Sequence, residues 1–303
     1  MLLFEVGLES TLREMLRVGM RSLSVALLGV VAPWVLGFLA GRLLLPDHGV
    51  LVHVFLGAIL TATSVGITAR VLRDLGQAQS LEARIILGAA VIDDVIGLVI
   101  LAVLGSMISA ADRGTTLSLG AATVVLAKAL AFLLGAFSIG AYAAGLILED
   151  AHVIDFADRG EHRLEELVRP ISMFLAPVFF VLMGMRVELG ALLEPGVLAL
   201  AALLTAAAIV GKQMCSIGAI GAPVDGTTIG IGMMPRGEVG FIFANFGLAL
   251  TVRGERIVDE RVFAAVVFAV MMTTLITPPA LKWRFSRASR RREAASAAPD
   301  VPE

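Results

Sequence analysis

The feature that most constrains this chain is a pair of adjacent aspartates, Asp93 and Asp94, in the middle of the apolar stretch 85–104. Placing one carboxylate near the centre of a bilayer costs about 2.5–3.5 kcal/mol on insertion scales. Acidic residues inside spans therefore face a bundle interior or a water-filled cavity, and they mark ion or proton pathways. The pair thus indicates an ion or proton path through a membrane protein.

The composition supports a membrane location. Of the 303 residues, 58% are hydrophobic and 17% are charged, whereas soluble domains carry roughly 25% charged residues. Cys215 is the single cysteine, which excludes an internal disulfide and a cysteine-based metal site. The net charge is −2 and no basic stripe is interleaved with aromatic residues. We therefore expect no nucleic-acid partner and no bound cofactor.

The apolar segments predict an all-α polytopic membrane protein. A helix needs about 20 residues to cross the hydrocarbon core, and seven segments have that length. An eighth segment is interrupted by polar residues. In chain order the eight are 21–44, 51–72, 83–108, 117–148, 164–185, 195–220, 226–250 (the interrupted one) and 261–282. The sequence therefore predicts about eight transmembrane segments.

The distribution of Lys and Arg predicts the orientation. With the C-terminus in the cytoplasm, 15 of the 24 Lys and Arg residues lie on the cytoplasmic side and six on the other, as the positive-inside tendency requires. We expect a multi-pass protein of a bacterial inner or plasma membrane. The predicted divisions are 1–148 (a first repeat with a linker helix), 149–282 (a second repeat) and 283–303 (a basic, disordered cytoplasmic tail that meets anionic lipid headgroups).

The aspartate pair lies deep in its predicted span. Arg84 marks the cytoplasmic edge, and ten residues at about 1.5 Å each place the pair roughly 15 Å inside. Adjacent helical positions differ by about 100°, so one carboxylate lines a cavity while the other faces a neighbouring helix. A site that holds a proton or a cation, but poorly both, has the chemistry of an antiporter. The alternative is a purely structural bridge between helices.

Two lysines lie inside predicted spans. Lys212 has a depth similar to that of the aspartates, and a buried lysine needs a partner, for which Asp93 is best placed. The alternative is that its side chain snorkels to the interface. Lys128 is as consistent with snorkelling as with function.

Two segments combine glycines with polar residues at mid-depth, in 57–67 and 230–241. In the second, Pro235 lacks an N–H group and breaks the helical ladder. Free carbonyls and half-helix ends are tolerated at this depth beside a cavity, where they form ion sites. We predict that Arg236 and Glu238 pair with each other or with the Asp–Lys group. The echo between 64–66 and 238–240 favours inverted repeats.

These residues resemble the Kef/Nap-type monovalent cation:proton antiporters. The motifs that carry the resemblance are Thr61–Ile67, Asp93–Asp94, Pro177–Met185, Gly211–Lys212 and Met234–Glu238, in the order of the family. The resemblance implies an inverted-repeat fold with two interrupted, crossing helices, a moving core domain and a dimerisation domain. It also implies exchange of Na⁺ or K⁺ for H⁺ by alternating access, in a homodimer.

The resemblance also implies roles for individual residues. Asp94 is the expected proton- and cation-binding carboxylate, with Na⁺ or K⁺ bound transiently. Asp93 is the expected partner of Lys212, in an ion pair that breaks when the cation enters. Thr63 and Ser64 are expected beside the site. Two adjacent aspartates imply electrogenic exchange.

The sequence departs from that family in two places. The opening helices of the family have no counterpart, and between Lys128 and Pro177 about two crossings fewer are present, so the dimerisation helices are incomplete. An alternative is therefore a non-transporting or ion-binding fragment of such an antiporter. An intramembrane aspartyl protease would need aspartates from two separate helices, and a channel would need a filter sequence. The choice between Na⁺, K⁺ and Li⁺ stays open.

Overall fold

The computed structural model describes residues 19–115, 194–252 and 254–296, and only isolated positions between 120 and 190. The described elements are α1 (Gly19–Leu44), α2 (Val50–Thr61), α3 (Val65–Asp74), α4 (Leu81–Asp112), α5 (Pro195–Gln213), a 3-10 helix (Met214–Ala219), α6 (Gly226–Gly232), α7 (Gly237–Ala249), β1 (Thr251–Val252), β2 (Glu255–Arg256) and α8 (Glu260–Ser296). The two short strands pair antiparallel. The protein is therefore mainly helical, as predicted.

Five segments in the described ranges are long and apolar enough to cross a membrane. They are Gly19–Leu44, Val50–Asp74, Leu81–Asp112, Gly196–Ala219 and Glu260–Arg287, and they match five of the eight predicted spans. The interrupted span 226–250 is present as α6 and α7, each too short to cross alone. The predicted spans 117–148 and 164–185 lie outside the described residues apart from isolated positions, so the count of eight stays a prediction.

The described helices follow the same order twice. A long helix, an interrupted pair and a second long helix occur as α1, α2–α3 and α4, and again as α5, α6–α7 and α8. The two groups pack on each other through α1 and α5. This order fits two repeats, and their inversion stays a prediction. The predicted repeat boundary at residues 148 and 149 lies outside the described part.

Small residues let α1 and α5 approach closely. A Cβ atom at Gly211 would lie 2.7 Å from the Cα of Pro33, a separation that no other residue type tolerates without movement. A Cβ atom at Gly29 would lie 2.9 Å from the Sγ of Cys215. Since transmembrane helices associate through such close packing, these glycines bring the end of α5 that carries Lys212 against α1.

The apolar surface divides into an inner and an outer part. A buried cluster centred on Phe55, Leu204 and Phe243 joins α2, α5 and α7 to α8. On α1, large apolar side chains at spacings of three and four residues stay exposed: Met20, Leu23, Leu27, Val31, Val35, Leu39 and Leu43. A face of this kind suits hydrocarbon, so its exposure fits a membrane helix.

The C-terminal helix is longer than predicted. The disordered tail was predicted to begin at residue 283, but α8 continues to Ser296. Residues 283–296 contain Arg, Ala and Glu, which favour helix, and no glycine or proline. The prediction is therefore wrong for this stretch, while residues 297–303 lie outside the described part.

Candidate functional site

The two predicted interruptions are confirmed, and they contact each other. Residues 62–64 separate α2 from α3, and residues 233–236 separate α6 from α7. The backbone N–H of Ser64 donates to the carbonyl of Pro235 at 2.7 Å. Gly237 has φ of +32°, and a Cβ atom there would lie 2.6 Å from the Oγ of Ser64. Glycine at this position therefore permits the crossing.

Two buried cations bind the end of α2. A helix end leaves its last carbonyls without intrahelical partners and carries a partial negative charge. The Arg236 Nη1 donates to the carbonyls of Leu60 and Ala62, the latter at 3.1 Å. The Lys212 Nζ donates to the carbonyl of Thr61 at 2.7 Å. Both cations are fully buried, so the free carbonyls of α2 explain why two positive charges are tolerated at this depth.

Two hydroxyl groups lie at the end of α6, and one of them binds it. The Thr68 Oγ1 donates to the carbonyl of Gly232 at 2.6 Å, and the Thr63 Oγ1 lies 3.5 Å from the carbonyl of Met233. The ends of both half-helices are therefore satisfied by side chains rather than by continuing helix. This arrangement fixes α2, α3 and α6 relative to one another.

The predicted ion pair between Asp93 and Lys212 is present. The Lys212 Nζ lies 3.1 Å from the Asp93 Oδ2, and the two side chains are 0% and 1% exposed. The hydroxyl of Thr63 donates to the same carboxylate oxygen. Removing one partner from a buried pair costs about 3–5 kcal/mol. Any process that separates this pair therefore needs another cation or a proton to take the place of Lys212.

Asp94 occupies a different face of α4, as its position one residue further along predicts. Its side chain is half-buried, and its Oδ1 atom is buried without a hydrogen-bond partner among the described residues. The Oδ1 of Asp93 is likewise buried without a hydrogen-bond partner in that part of the chain. The charges of Asp93 and Glu238 repel that of Asp94. Adjacent carboxylate oxygens with free lone pairs are suitable ligands for a cation or a proton.

The predicted pairing of Arg236 with Glu238 is replaced by other contacts. The Glu238 Oε2 accepts a hydrogen bond from the Oγ of Ser64 at 2.7 Å, while Arg236 binds the backbone of α2. Its Nε and Nη2 have no hydrogen-bond partner among the described residues. The alternative prediction, that both belong to the Asp–Lys group, agrees better, because the charge of Arg236 acts on Asp93. Lys128 is exposed, and both of its predicted roles stay predictions.

Two polar features of the structure were not predicted from the sequence: the hydroxyl of Thr68 and a cluster around Asp225. Thr68 lies one turn beyond Ser64 in α3 and therefore faces the same crossing. Asp225 precedes a short helix and accepts from the N–H of Thr227 at 3.1 Å. An aspartate directly before an apolar segment is a helix-start signal, which identifies it in retrospect.

Comparison with protein families gives two matching regions. The model of the family described as "Sodium/hydrogen exchanger, transmembrane" matches residues 1–149 and again residues 138–286. Together these regions include every residue of the site.

Comparison with characterised proteins gives similar antiporters. The chain is 34% identical to the high-affinity Na(+)/H(+) antiporter NhaS3 of Synechocystis, over 95% of this chain and 70% of that protein. It is 33% identical to the Na(+)/H(+)-K(+) antiporter GerN of Bacillus cereus, over 94% of this chain and 81% of that protein. It is 26% identical to a Na(+)/H(+) antiporter of Enterococcus hirae, over 93% and 82% respectively.

The alignments with these relatives are longer than the chain itself. The alignment with the Synechocystis protein has 337 positions and includes 95% of 303 residues, or about 288, so this chain lacks a residue at about 49 of them. The same subtraction for the Bacillus protein, 329 positions less about 285 residues, gives about 44. Two crossings need about 40 residues. The two regions that match the family meet at residues 138–149, where the sequence predicts the missing crossings.

Proposed function

The chain belongs to the transmembrane sodium/hydrogen exchanger family, and we propose that Asp94 is the carboxylate at which it exchanges a monovalent cation for protons. It is an integral multi-pass membrane protein whose substrates are cations and protons. The observation that supports the site is the buried, unpartnered Oδ1 of Asp94, which lies beside the Asp93–Lys212 pair and the two crossing segments.

Competition for one carboxylate couples the two substrates. A protonated Asp94 has lost the charge that attracts a cation, and a cation bound at Asp94 repels the proton. Because each side of the membrane offers both ions, the site releases one when it takes up the other. Alternating exposure of the site to the two sides then converts this competition into exchange.

Asp93 and Lys212 adjust the charge of the site. When a cation enters, the free Oδ1 of Asp93 joins the ligands, and Lys212 moves away from the carboxylate. Its Nζ keeps the hydrogen bond to the carbonyl of Thr61, so it does not become an isolated charge. Among the described residues, three acids (Asp93, Asp94 and Glu238) face two bases (Lys212 and Arg236), so one bound cation makes the cluster neutral. Two adjacent aspartates can take up two protons when that one cation leaves, so the pair supports electrogenic exchange, in which protons and cations move in unequal numbers.

The ligands available to the cation are oxygen atoms. Carboxylate, hydroxyl and backbone carbonyl oxygens suit Na⁺ and K⁺ alike, and selection between them depends on cavity size and ligand number. The Bacillus relative is a Na(+)/H(+)-K(+) antiporter by name. Both ions therefore belong in the transport assay.

Transport by the purified protein tests the site. In proteoliposomes with an imposed ΔpH, addition of Na⁺ or K⁺ dissipates the gradient if the chain exchanges cations for protons. We expect Asp94→Asn to abolish this response. Asp74→Asn is the matched control, because Asp74 is 65% exposed and lies in a surface ion pair with Arg70. Exchange at the wild-type rate by the Asp94→Asn variant would remove the assignment.

The alternative of a non-transporting, ion-binding protein is tested with the unmutated chain. Absence of exchange combined with thermal stabilisation by Na⁺ or K⁺ would favour it.

We also propose that the protein lies in a bacterial inner or plasma membrane with its C-terminus on the cytoplasmic side, that it has no enzymatic activity and that it forms a homodimer. Contact with anionic lipids is supported by Trp283, which is 53% exposed and lies 5.8 Å and 5.4 Å from the guanidinium carbons of Arg284 and Arg287.

A further inference from the structure

A second polar cluster lies at the opposite end of α6 from the ion site. Asp225 precedes α6, and its Oδ1 accepts from the N–H of Thr227 at 3.1 Å, an N-cap. Its Oδ2 accepts from the Oγ1 of Thr228 at 2.7 Å and from the Nε of Arg284 at 3.0 Å. The Nη2 of Arg284 donates to the same oxygen. The guanidinium group of α8 thus holds the start of α6 through two N–H groups.

The same cluster includes α4. The backbone N–H of Asp225 donates to the Oε1 of Glu82 at 3.2 Å, and Glu82 lies in the first turn of α4. α4 carries the aspartate pair, while α6 ends at the crossing. Two of the elements that meet at the ion site are therefore joined a second time, together with α8, through Asp225.

The length of α6 makes this second attachment important. A helix of seven residues is far below the roughly 12–15 residues at which an isolated helix becomes stable. Its position therefore depends on what holds its two ends. One end is held by Asp225, and at the other the carbonyl of Gly232 accepts from the hydroxyl of Thr68 at 2.6 Å. The chain then continues directly into residues 233–236, where the carbonyl of Pro235 accepts from the N–H of Ser64 at 2.7 Å.

We propose that Arg284 is a positioning residue for the cation site, acting through Asp225 and α6 on residues 233–236, which follow α6 directly and contact Ser64 and the end of α2. The proposal rests on the proposed function, since it concerns the affinity of the same site. α6 is about 10 Å long, so a shift at its first residue reaches its last carbonyl without a flexible connection. Loss of the Arg284 contact frees α6 to shift and weakens cation binding at a distance.

The charge of Asp225 supports a lasting attachment. Burial opposes ionisation of Asp225, but the hydrogen bonds from Thr228 and Arg284 and the charge of Arg284 outweigh it and lower the pKa of this carboxyl below its ordinary value. The facing groups are Arg284 on α8 and Glu82 on α4. Asp225 thus stays charged in neutral and mildly acidic solution, and its attraction for Arg284 persists over that pH range.

The test measures the cation concentration that gives half-maximal ΔpH dissipation, separately from the maximal rate, in proteoliposomes of the full chain. We expect Arg284→Ala to raise this concentration about 2- to 30-fold, the range for residues that act on a site from a distance. Arg284→Lys should recover part of the loss, because an ammonium keeps the charge but not the two-pronged contact. Arg287→Ala is the control, since Arg287 is exposed and outside the cluster.

A second pair of variants separates the ion pair from the helix cap. Asn is as good an N-cap as Asp, so Asp225→Asn keeps the cap and loses the charge. We expect it to match Arg284→Ala, and we expect the double variant to be no worse than either single variant. Additive losses in the double variant, or a half-saturating concentration in Arg284→Ala equal to that of Arg287→Ala, would overturn the proposal.

A binding measurement covers the variants that fold poorly or transport slowly. The Na⁺ or K⁺ concentration that gives half of the thermal stabilisation in detergent should rise by the same factor in Arg284→Ala and partly recover in Arg284→Lys. A lower melting temperature with an unchanged half-saturating concentration means that Arg284 is only structural, which refutes the proposal. Failure of the proposed function is distinct: it leaves Asp94→Asn with wild-type exchange, whatever Arg284→Ala does.

Discussion

The ion pair between Asp93 and Lys212 allows a quantitative prediction about stability. In Lys212→Met, the Asp93 carboxylate keeps the hydroxyl of Thr63 as a donor but loses its counter-charge in a site that is 1% exposed. The carbonyl of Thr61 loses its donor in the same change. Leaving one partner of a buried pair uncompensated costs about 3–5 kcal/mol. We expect the free energy of unfolding to fall by about that amount.

The companion variant, Asp93→Asn, is expected to be destabilised as well, because it leaves the ammonium of Lys212 buried with one backbone acceptor. The double variant Asp93→Asn, Lys212→Met removes both charges, and replacement of a buried pair by uncharged groups is often neutral. We therefore expect the double variant to be more stable than Lys212→Met alone, with an interaction energy of about 2–3 kcal/mol between the two positions, toward the upper end for contacting residues.

Thermal or denaturant unfolding of the four proteins in one detergent, without added Na⁺ or K⁺, measures this interaction. The absence of those ions matters because a bound cation stabilises the folded state by itself. Exposed Arg70 and Asp74 form a control pair, since such pairs contribute about 0–1 kcal/mol. Losses at Asp93 and Lys212 that simply add would refute the view that the two charges depend on each other.

Two further predictions concern the crossing and the Asp225 cluster. Gly237→Ala should destabilise the protein by about 1–3 kcal/mol, because φ is +32° and the new Cβ would lie 2.6 Å from the Oγ of Ser64. Gly196→Ala, with no atom within 4 Å of its Cβ position, should have no such effect in the same thermal assay. The contribution of Asp225 should be complete above its unfolded pKa of about 3.9 and should disappear as the pH falls through its lowered folded pKa. The melting-temperature difference between wild type and Asp225→Asn should therefore stay constant from pH 7 to about 5 and shrink toward zero only below about 3.9; a difference that vanishes near pH 6 would contradict the assignment.

The local signals in the sequence were sufficient for the elements of the site and for one of its contacts. Polar residues and glycines in otherwise apolar segments predicted both interruptions, because helical hydrogen bonds are otherwise obligatory in a bilayer. The pairing of Asp93 with Lys212 followed from equal depth and from the need of a buried charge for a partner.

The contacts of Arg236 could not be predicted from local sequence patterns. They depend on which helix end lies opposite the guanidinium group, and the carbonyls of α2 are 174–176 residues away along the chain. Nothing in composition or spacing distinguishes a backbone acceptor from a carboxylate. Charge pairing in the sequence therefore offered Glu238 or the Asp–Lys group as partners of Arg236, whereas the crossing brings Ser64 to Glu238 and the end of α2 to Arg236.

The two buried cations differ in what each leaves behind when it moves. Within the described part of the chain, Arg236 binds two carbonyls at the end of α2 and no carboxylate, so its departure would expose a helix end and gain nothing. Lys212 binds one carbonyl and one carboxylate, and a cation arriving at Asp93 and Asp94 replaces only the second contact. Lys212 is therefore the charge suited to respond to the transported ion, and Arg236 the charge suited to hold α2 in place.

Cation binding at the site and the transport movement of the helices that carry it depend on different parts of the chain. The contacts described for the site come from residues 60–68, 93–94, 212 and 232–238, which lie on either side of the stretch between Lys128 and Pro177 where the sequence predicts about two crossings fewer than in the family. Losing two crossings there leaves those ligands in place and alters the surface against which they move. Cation-dependent thermal stabilisation should therefore persist at concentrations similar to those for a full-length relative, even where the exchange rate is lower. Loss of that stabilisation would mean that the missing crossings help to form the site itself.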